Sequence, residues 1–153
     1  YWFQDGLGPL KGLFESQLGF TSSQFGLLVS STTWANLALM IKRLSESGIE
    51  GLVLFNRFYS PDFDIDKMEV TATNVLSHPD ELSISLRWIA IMAERVSCDL
   101  AASTGVHDGN ALIKQILAGA DAVQVCSVLY RNGIEYLRDM IAEMKKWMEK
   151  KFP

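Results

Sequence analysis

From Trp34 onward, apolar residues alternate between a helical period and short unbroken runs, with Gly, Pro or Asp at the joins. Trp34, Leu37, Ala38, Ile41 and Leu44 share one helical face and stop at Gly48, a residue suited to the left-handed turn that ends a helix. Gly51 to Phe55 then carries no polar side chain, as a strand covered on both faces requires. Ser77 followed at the third position by Asp80, with Pro79 in the first turn, predicts a helix start. Its core stripe is Leu82, Leu86, Ile89, Ala90 and Ala93. Cys98 to Ala102 predicts a second strand. Asp108 is then the N-cap of a helix through Ile113, Ile116 and Leu117 that Gly119 ends, and Ala122 to Val125 predicts a third strand. A last helix from about Ile134 sets Leu137, Ile141, Met144 and Met148 on one side, against a barrel wall. Helix and strand in alternation specify βα units and a parallel sheet.

Two stretches break this rhythm. Arg57 to Leu76 has Pro61, several acids and little helical period, and predicts a long excursion with a short extended piece at Met68 to Thr71. Before Trp34, Leu7, Leu10, Phe14 and Leu18 fit one helix ending at Gly19, and Thr21 with Gln24 makes a capping box for a second through Phe25 to Val29. Residues 1–33 thus read as a helical hairpin of different character from residues 34–153, with the change of composition between Ser30 and Asn36.

Composition narrows the function classes. At 153 residues and 48% hydrophobic content the chain has material for a core. A net charge of -4 and a pI near 5.1 give no footprint for nucleic acid or an anionic membrane. The basic cluster Lys145, Lys146, Lys150 and Lys151 falls in the last turns of a helix, where cations complement the dipole. Cys98 and Cys126 lie in strand-like runs outside any CxxC pattern, which points to free thiols in reducing cytoplasm. No apolar run approaches the roughly 20 residues of a membrane span. Asp62, Asp64, Asp66 and Glu69 lack the Gly and closing Glu of a calcium loop and read as solvated, so no metal site is expected. His107, beside an N-cap, reads as a solvated side chain, and His78 carries no assigned role.

The chemistry-bearing positions come after the second and third strands: Ala102-Ser103-Thr104-Gly105-Val106 and Cys126-Ser127. In β/α barrels, sites form at the C-terminal ends of strands and phosphates sit in loops after the last two. Gly105 admits backbone N–H groups close to an anion, the hydroxyls of Ser103, Thr104 and Ser127 donate, and helix N-termini add partial positive charge.

Gly51-Leu-Val-Leu-Phe-Asn56, the Pro79 to Val96 helix and the block from Asp99 to Gly133 together resemble dihydroorotate dehydrogenase-like proteins. The resemblance implies an α/β fold that is the C-terminal portion of a TIM-type (β/α)8 flavin barrel. It also implies FMN as cofactor, a small dihydropyrimidine-type substrate and a place in pyrimidine biosynthesis. By that likeness Thr104 and Gly105 stand where a Gly-Gly pair meets the FMN phosphate, with Ser103 beside them. Cys126 and Ser127 stand where a Gly followed by Ser or Thr does, and Asn56 matches an Asn that reaches toward substrate and flavin. Arg57 departs from a small Ser or Thr, and Thr73-Asn74 from a Gly-rich pair. The family's catalytic base and flavin-neutralising Lys lie upstream of anything matched, so no catalytic residue is assigned. The rival expectation is a non-catalytic fusion or truncation product that keeps only an anion-binding half barrel.

Tyr1 to about Asn36, above all Leu18 to Ser31, resembles the end of the first helix and the start of the second in major facilitator superfamily transporters, which implies a junction near Ala35-Asn36; the alternative is an ordinary helical extension that caps the open barrel. Three parallel strands leave two open sheet edges, so a second copy of the chain is a means of closing the half barrel.

Overall fold

The computed structural model describes Ser16 and residues 21–57, 61–72 and 74–152. The chain divides into the units Tyr1–Arg43 and Leu44–Pro153. The first helix of the expected hairpin lies outside the described residues. Its successor is α1, Ser22–Ser45, a single helix that runs through the Ser30–Asn36 stretch without a break. The sequence pattern predicts two helices over that span. The run Ser30-Ser31-Thr32-Thr33 lowers helix propensity by only tenths of a kcal/mol per residue, and it holds neither Gly nor Pro to stop the backbone. Thr21 pairs its hydroxyl with Ser23 at 3.0 Å at the start of α1.

In the second unit the elements are β1 (Gly51–Leu54), β2 (Pro61–Asp64), β3 (Glu69–Ala72), a 3₁₀ turn (Pro79–Glu81), α2 (Leu82–Met92) and β4 (Asp99–Ala102). They continue with α3 (Gly109–Leu117), β5 (Ala122–Val123), α4 (Ser127–Asn132) and α5 (Tyr136–Lys151). β1, β4 and β5 form one parallel sheet in that order, with Gly51 opposite Asp99, Leu54 opposite Ala102 and Ala101 opposite Ala122. β5 is shorter than the expected Ala122 to Val125, although the Gln124 N–H still donates to the Ala102 carbonyl at 2.8 Å. The Asp121 carboxylate accepts the Leu100 N–H at 2.8 Å and fixes the register at the other end.

The excursion after β1 is a hairpin apart from this sheet. β2 and β3 pair antiparallel with Phe63 opposite Val70, and the Asp64 carboxylate turns the chain by accepting the Asp66 and Lys67 N–H groups, each at 3.1 Å. β2 has too few apolar residues to announce itself as a strand.

The helices present faces somewhat different from those expected. α2 buries Ser85, Trp88, Ile89 and Met92 and leaves Ala90 exposed, because Ser85 is drawn inward to donate to the Leu54 carbonyl at 2.8 Å. α3 buries Gly109, Ala111, Ile113 and Gln115, while Ile116 and Leu117 are exposed. α5 turns Met140 into a core shared with Val106, Ala111 and Val128, and Met148 stays outside. Leu54, Leu100 and Ala102 are buried, as are Trp88 and Ile89 of α2, so the strand ends rest on a packed base. No helix among the described residues is long and apolar enough to cross a membrane.

Candidate functional site

The exits of β1 and β4 are stitched together. Ser103 N–H donates to the Leu54 carbonyl at 3.3 Å, and the Thr104 hydroxyl donates to the Phe55 carbonyl at 3.0 Å. Phe55 sets its ring edge-on to buried Trp88, with centroids 5.8 Å apart. Asn56 and Arg57 therefore leave β1 at a fixed height. Arg57 is bound to Glu81 through Nε at 3.1 Å, and its Nη1 donates to the carbonyls of Asn74 and Val75. Partial burial pushes the Glu81 carboxyl upward, but the His78 N–H and the Arg57 guanidinium together hold it below its ordinary value.

Thr104 and Gly105 both take positive φ, +78° and +79°. A Cβ built on Gly105 would stand 2.2 Å from the Leu82 backbone nitrogen. The glycine is required by backbone against backbone, where the sequence suggested backbone against an anion.

A second tie joins three loops that are distant in sequence. Ser77, only 5% exposed, donates its N–H to the Ser127 hydroxyl oxygen at 2.8 Å, and its own hydroxyl lies 3.0 Å from His107 Nε2. Ser77 is therefore not the cap that its sequence position predicts. The cap is His78, whose Nδ1 accepts the Asp80 N–H while Glu81 accepts the His78 N–H, so His78 has a role after all. His107 is half-buried rather than solvated; burial first, then the charges of Arg131 and His78, hold its imidazole below the ordinary value of 6.5.

These loops enclose a cleft of about 670 Å³ at the strand ends. Asn56, Ser103, Thr104, Gly105, Cys126 and Ser127, singled out from separate parts of the sequence, all line it. Arg57, Ser77, Gln124 and Tyr130 line it too; Arg57 and Ser77 stand out in the sequence for other reasons, and none of the four carries a signal that places it in a cleft. Among the described residues the N–H groups of Gly105, Val106 and Ser127 have no protein acceptor. The start of α3 is closed by carboxylates: Asp108 accepts the Ala111 N–H at 2.7 Å and Glu143 accepts the Gly109 N–H at 2.9 Å. Its dipole is therefore spent inside the fold. At α4 the N-cap residue Cys126 makes no side-chain cap bond. Among the described residues no three His, Cys, Asp or Glu side chains converge as a metal site.

No protein-family model matches the chain. It is 30% identical over 93 residues to a dihydroorotate dehydrogenase B (NAD(+)) catalytic subunit of Citrifermentans bemidjiense, covering 59% of this chain and 30% of that protein. The subunit of the same name from Oceanobacillus iheyensis is 25% identical over 117 residues, covering 74% of this chain and 38% of that protein. The subunit from Petrotoga mobilis is 31% identical over 100 residues, or 63% and 33% of the two chains. The crystal structure of a dihydroorotate dehydrogenase from Eimeria tenella, in complex with ferulenol, superposes with a TM-score of 0.57 at 21% identity, over 71% of this chain and 29% of that one. The likeness of Tyr1 to about Asn36 to transporters finds no support among these relatives. The chain spans about a third of the length of the curated relatives it matches. Over 71% of this chain, its parallel βα sheet and helices share the fold of part of the TIM-type barrel of the Eimeria tenella structure.

Proposed function

We propose that the cleft between the β4 and β5 exits binds the phosphate of FMN, and that the chain supplies the phosphate-holding part of a dihydroorotate dehydrogenase-like flavin oxidoreductase. The reading rests on one observation above the rest. Two turns separated by about twenty residues bring unpaired N–H groups and hydroxyls into a single cleft, in a chain that is similar to such enzymes over part of its length. The residues fit a phosphate: Gly105, Val106 and Ser127 offer N–H donors, and the Ser127 oxygen already accepts from Ser77, so its proton is free to be donated.

Bound FMN would accept hydride from a reduced, dihydropyrimidine-type substrate. The part of this chain is to hold and orient. Ser103, Thr104 and Gly105 form one side of the phosphate seat and Cys126 with Ser127 the other. Thr104 fixes the β1 exit through Phe55, which sets Asn56 to face substrate. Arg57 is occupied by Glu81 and two carbonyls, so it serves the wall of the cleft. None of the described residues is assigned as the base.

Titration of the folded chain with FMN, read by flavin fluorescence, tests the proposal. Ser127→Asp keeps an oxygen for the Ser77 N–H but sets a carboxylate against the phosphate. Affinity should fall by at least about tenfold. Failure of the folded wild type to bind FMN, or undiminished binding by S127D, would replace this reading with the non-catalytic one.

A further inference from the structure

Ser77 touches both sides of the cleft. Its N–H holds Ser127 after β5, and its hydroxyl holds His107 after β4, across sequence separations of 50 and 30 residues. Beside the short β4–β5 ladder, Ser77 thus bridges by hydrogen bonds the two loops that carry the free N–H groups. Ser77 itself is 5% exposed, and its partners Ser127 and His107 are half-buried, so both bonds are partly screened from water. Hydrogen bonds in such surroundings are stronger and better directed than exposed ones.

The chemistry of the link gives it a direction. A hydroxyl oxygen that accepts an N–H keeps one proton to donate, and the Ser127 hydroxyl lines the cleft. The Ser77 side chain cannot turn away without giving up His107 Nε2. His107 itself sits two residues beyond Gly105, so its position and that of the Gly105 turn are set together.

We propose that Ser77 and His107 are positioning residues for an anion in this cleft: the Ser77 N–H aims the Ser127 hydroxyl at it, and the bond between Ser77 and His107 holds the two loops at the spacing of one phosphate group. The role deepens the flavin reading and rests on it only for the identity of the ligand. The seat itself would be organised for any phosphate monoester.

The test uses the full chain and two probes, inorganic phosphate and FMN, with riboflavin as the flavin that lacks a phosphate. Binding is followed at the Ser127 amide by NMR. Ser77→Ala keeps the N–H bond to Ser127 and removes the side-chain tie to His107; His107→Leu removes the imidazole itself. Each should weaken phosphate and FMN by about five- to tenfold. Riboflavin binding should not change, whereas general damage to the fold would lower all three. His107→Gln, whose amide reaches the Nε2 position, should recover most of the loss. Unchanged phosphate affinity in S77A and H107L, or H107Q as weak as H107L, overturns the proposal. A folded wild type that binds neither phosphate nor FMN overturns it together with the flavin reading. Phosphate binding with the expected order of variants, but no FMN binding, upholds the positioning role and removes the flavin.

Discussion

Gly105 and Leu82 meet backbone to backbone: a methyl group on the glycine would come within 2.2 Å of the leucine nitrogen and 2.6 Å of its α-carbon. The loop after β4 therefore rests directly on the first turn of α2, and a side chain there must push the two apart. Gly105→Ala also forces a Cβ onto a residue with φ of +79°. The expected cost is about 3 kcal/mol or more of folding stability, measured by denaturant unfolding. A loss below about 1 kcal/mol would show that this contact is not rigid. Charged substitutions at Gly105 are accordingly poor probes of anion binding, since they damage the fold first.

Thr104 holds an uncommon backbone for a β-branched residue, φ +78°, and its hydroxyl bond to Phe55 accompanies that conformation. Thr104→Ala keeps the strain and loses the bond, for about 1 kcal/mol. Thr104→Gly loses the same bond but relieves about 1–2 kcal/mol of left-handed strain. The glycine variant should therefore unfold at higher denaturant than the alanine variant. The reverse order would mean that no strain resides there.

Gln115 is fully buried and donates to the Ser85 hydroxyl at 3.2 Å, but its Oε1 has no partner among the described residues. Ser85 does not depend on it, because its own proton goes to the Leu54 carbonyl. Gln115→Met preserves volume and removes an unsatisfied acceptor, so thermal or chemical unfolding should show a gain of roughly 1 kcal/mol. A loss of similar size would reveal an acceptor bond of real value.

His107 is faced by Arg131 from α4, by His78 from the turn before α2 and by Asp108 in its own loop. Burial first, then Arg131 and His78, favour its neutral form in the folded chain, against an ordinary value of 6.5. The unfolded chain thus takes up the proton first. The stabilising contribution is complete above pH 6.5 and is lost as pH falls through the lower, folded value. Unfolding curves of wild type and His107→Gln should run parallel above that point and converge or cross below it. Parallel behaviour at all pH values would remove the titration.

Much of the architecture is legible in the sequence. The parallel βα order, the Asp108 cap and the gathering of Asn56, Thr104, Gly105 and Ser127 at one end of a sheet follow from apolar runs, turn residues and family likeness. The functions of single polar residues are less accessible. Ser77 has the local marks of a helix cap, and His107 those of a surface loop; their bond spans 30 residues, and no local pattern encodes it. α2 shows the same limit: Ser85 and Trp88 turn inward for the Leu54 carbonyl and the Phe55 ring, partners outside the helix. Propensity and period describe a segment by itself, and these roles belong to pairs of segments.

The hairpin of β2 and β3 leaves the sheet after Arg57 and returns before Ser77, and Arg57 grips Asn74, Val75 and Glu81 across its base. The exposed Ile65–Met68 tip lines no part of the cleft and pairs with no strand of the parallel sheet, so a cut there breaks neither. The pieces on either side would still meet through the β1–β4 ladder, the Ser45–Ser97 bonds and that Arg57 grip. The tip is thus a natural place for splitting the protein into two separately expressed fragments that complement one another, with Arg57→Ala as the substitution that should make reassembly fail first.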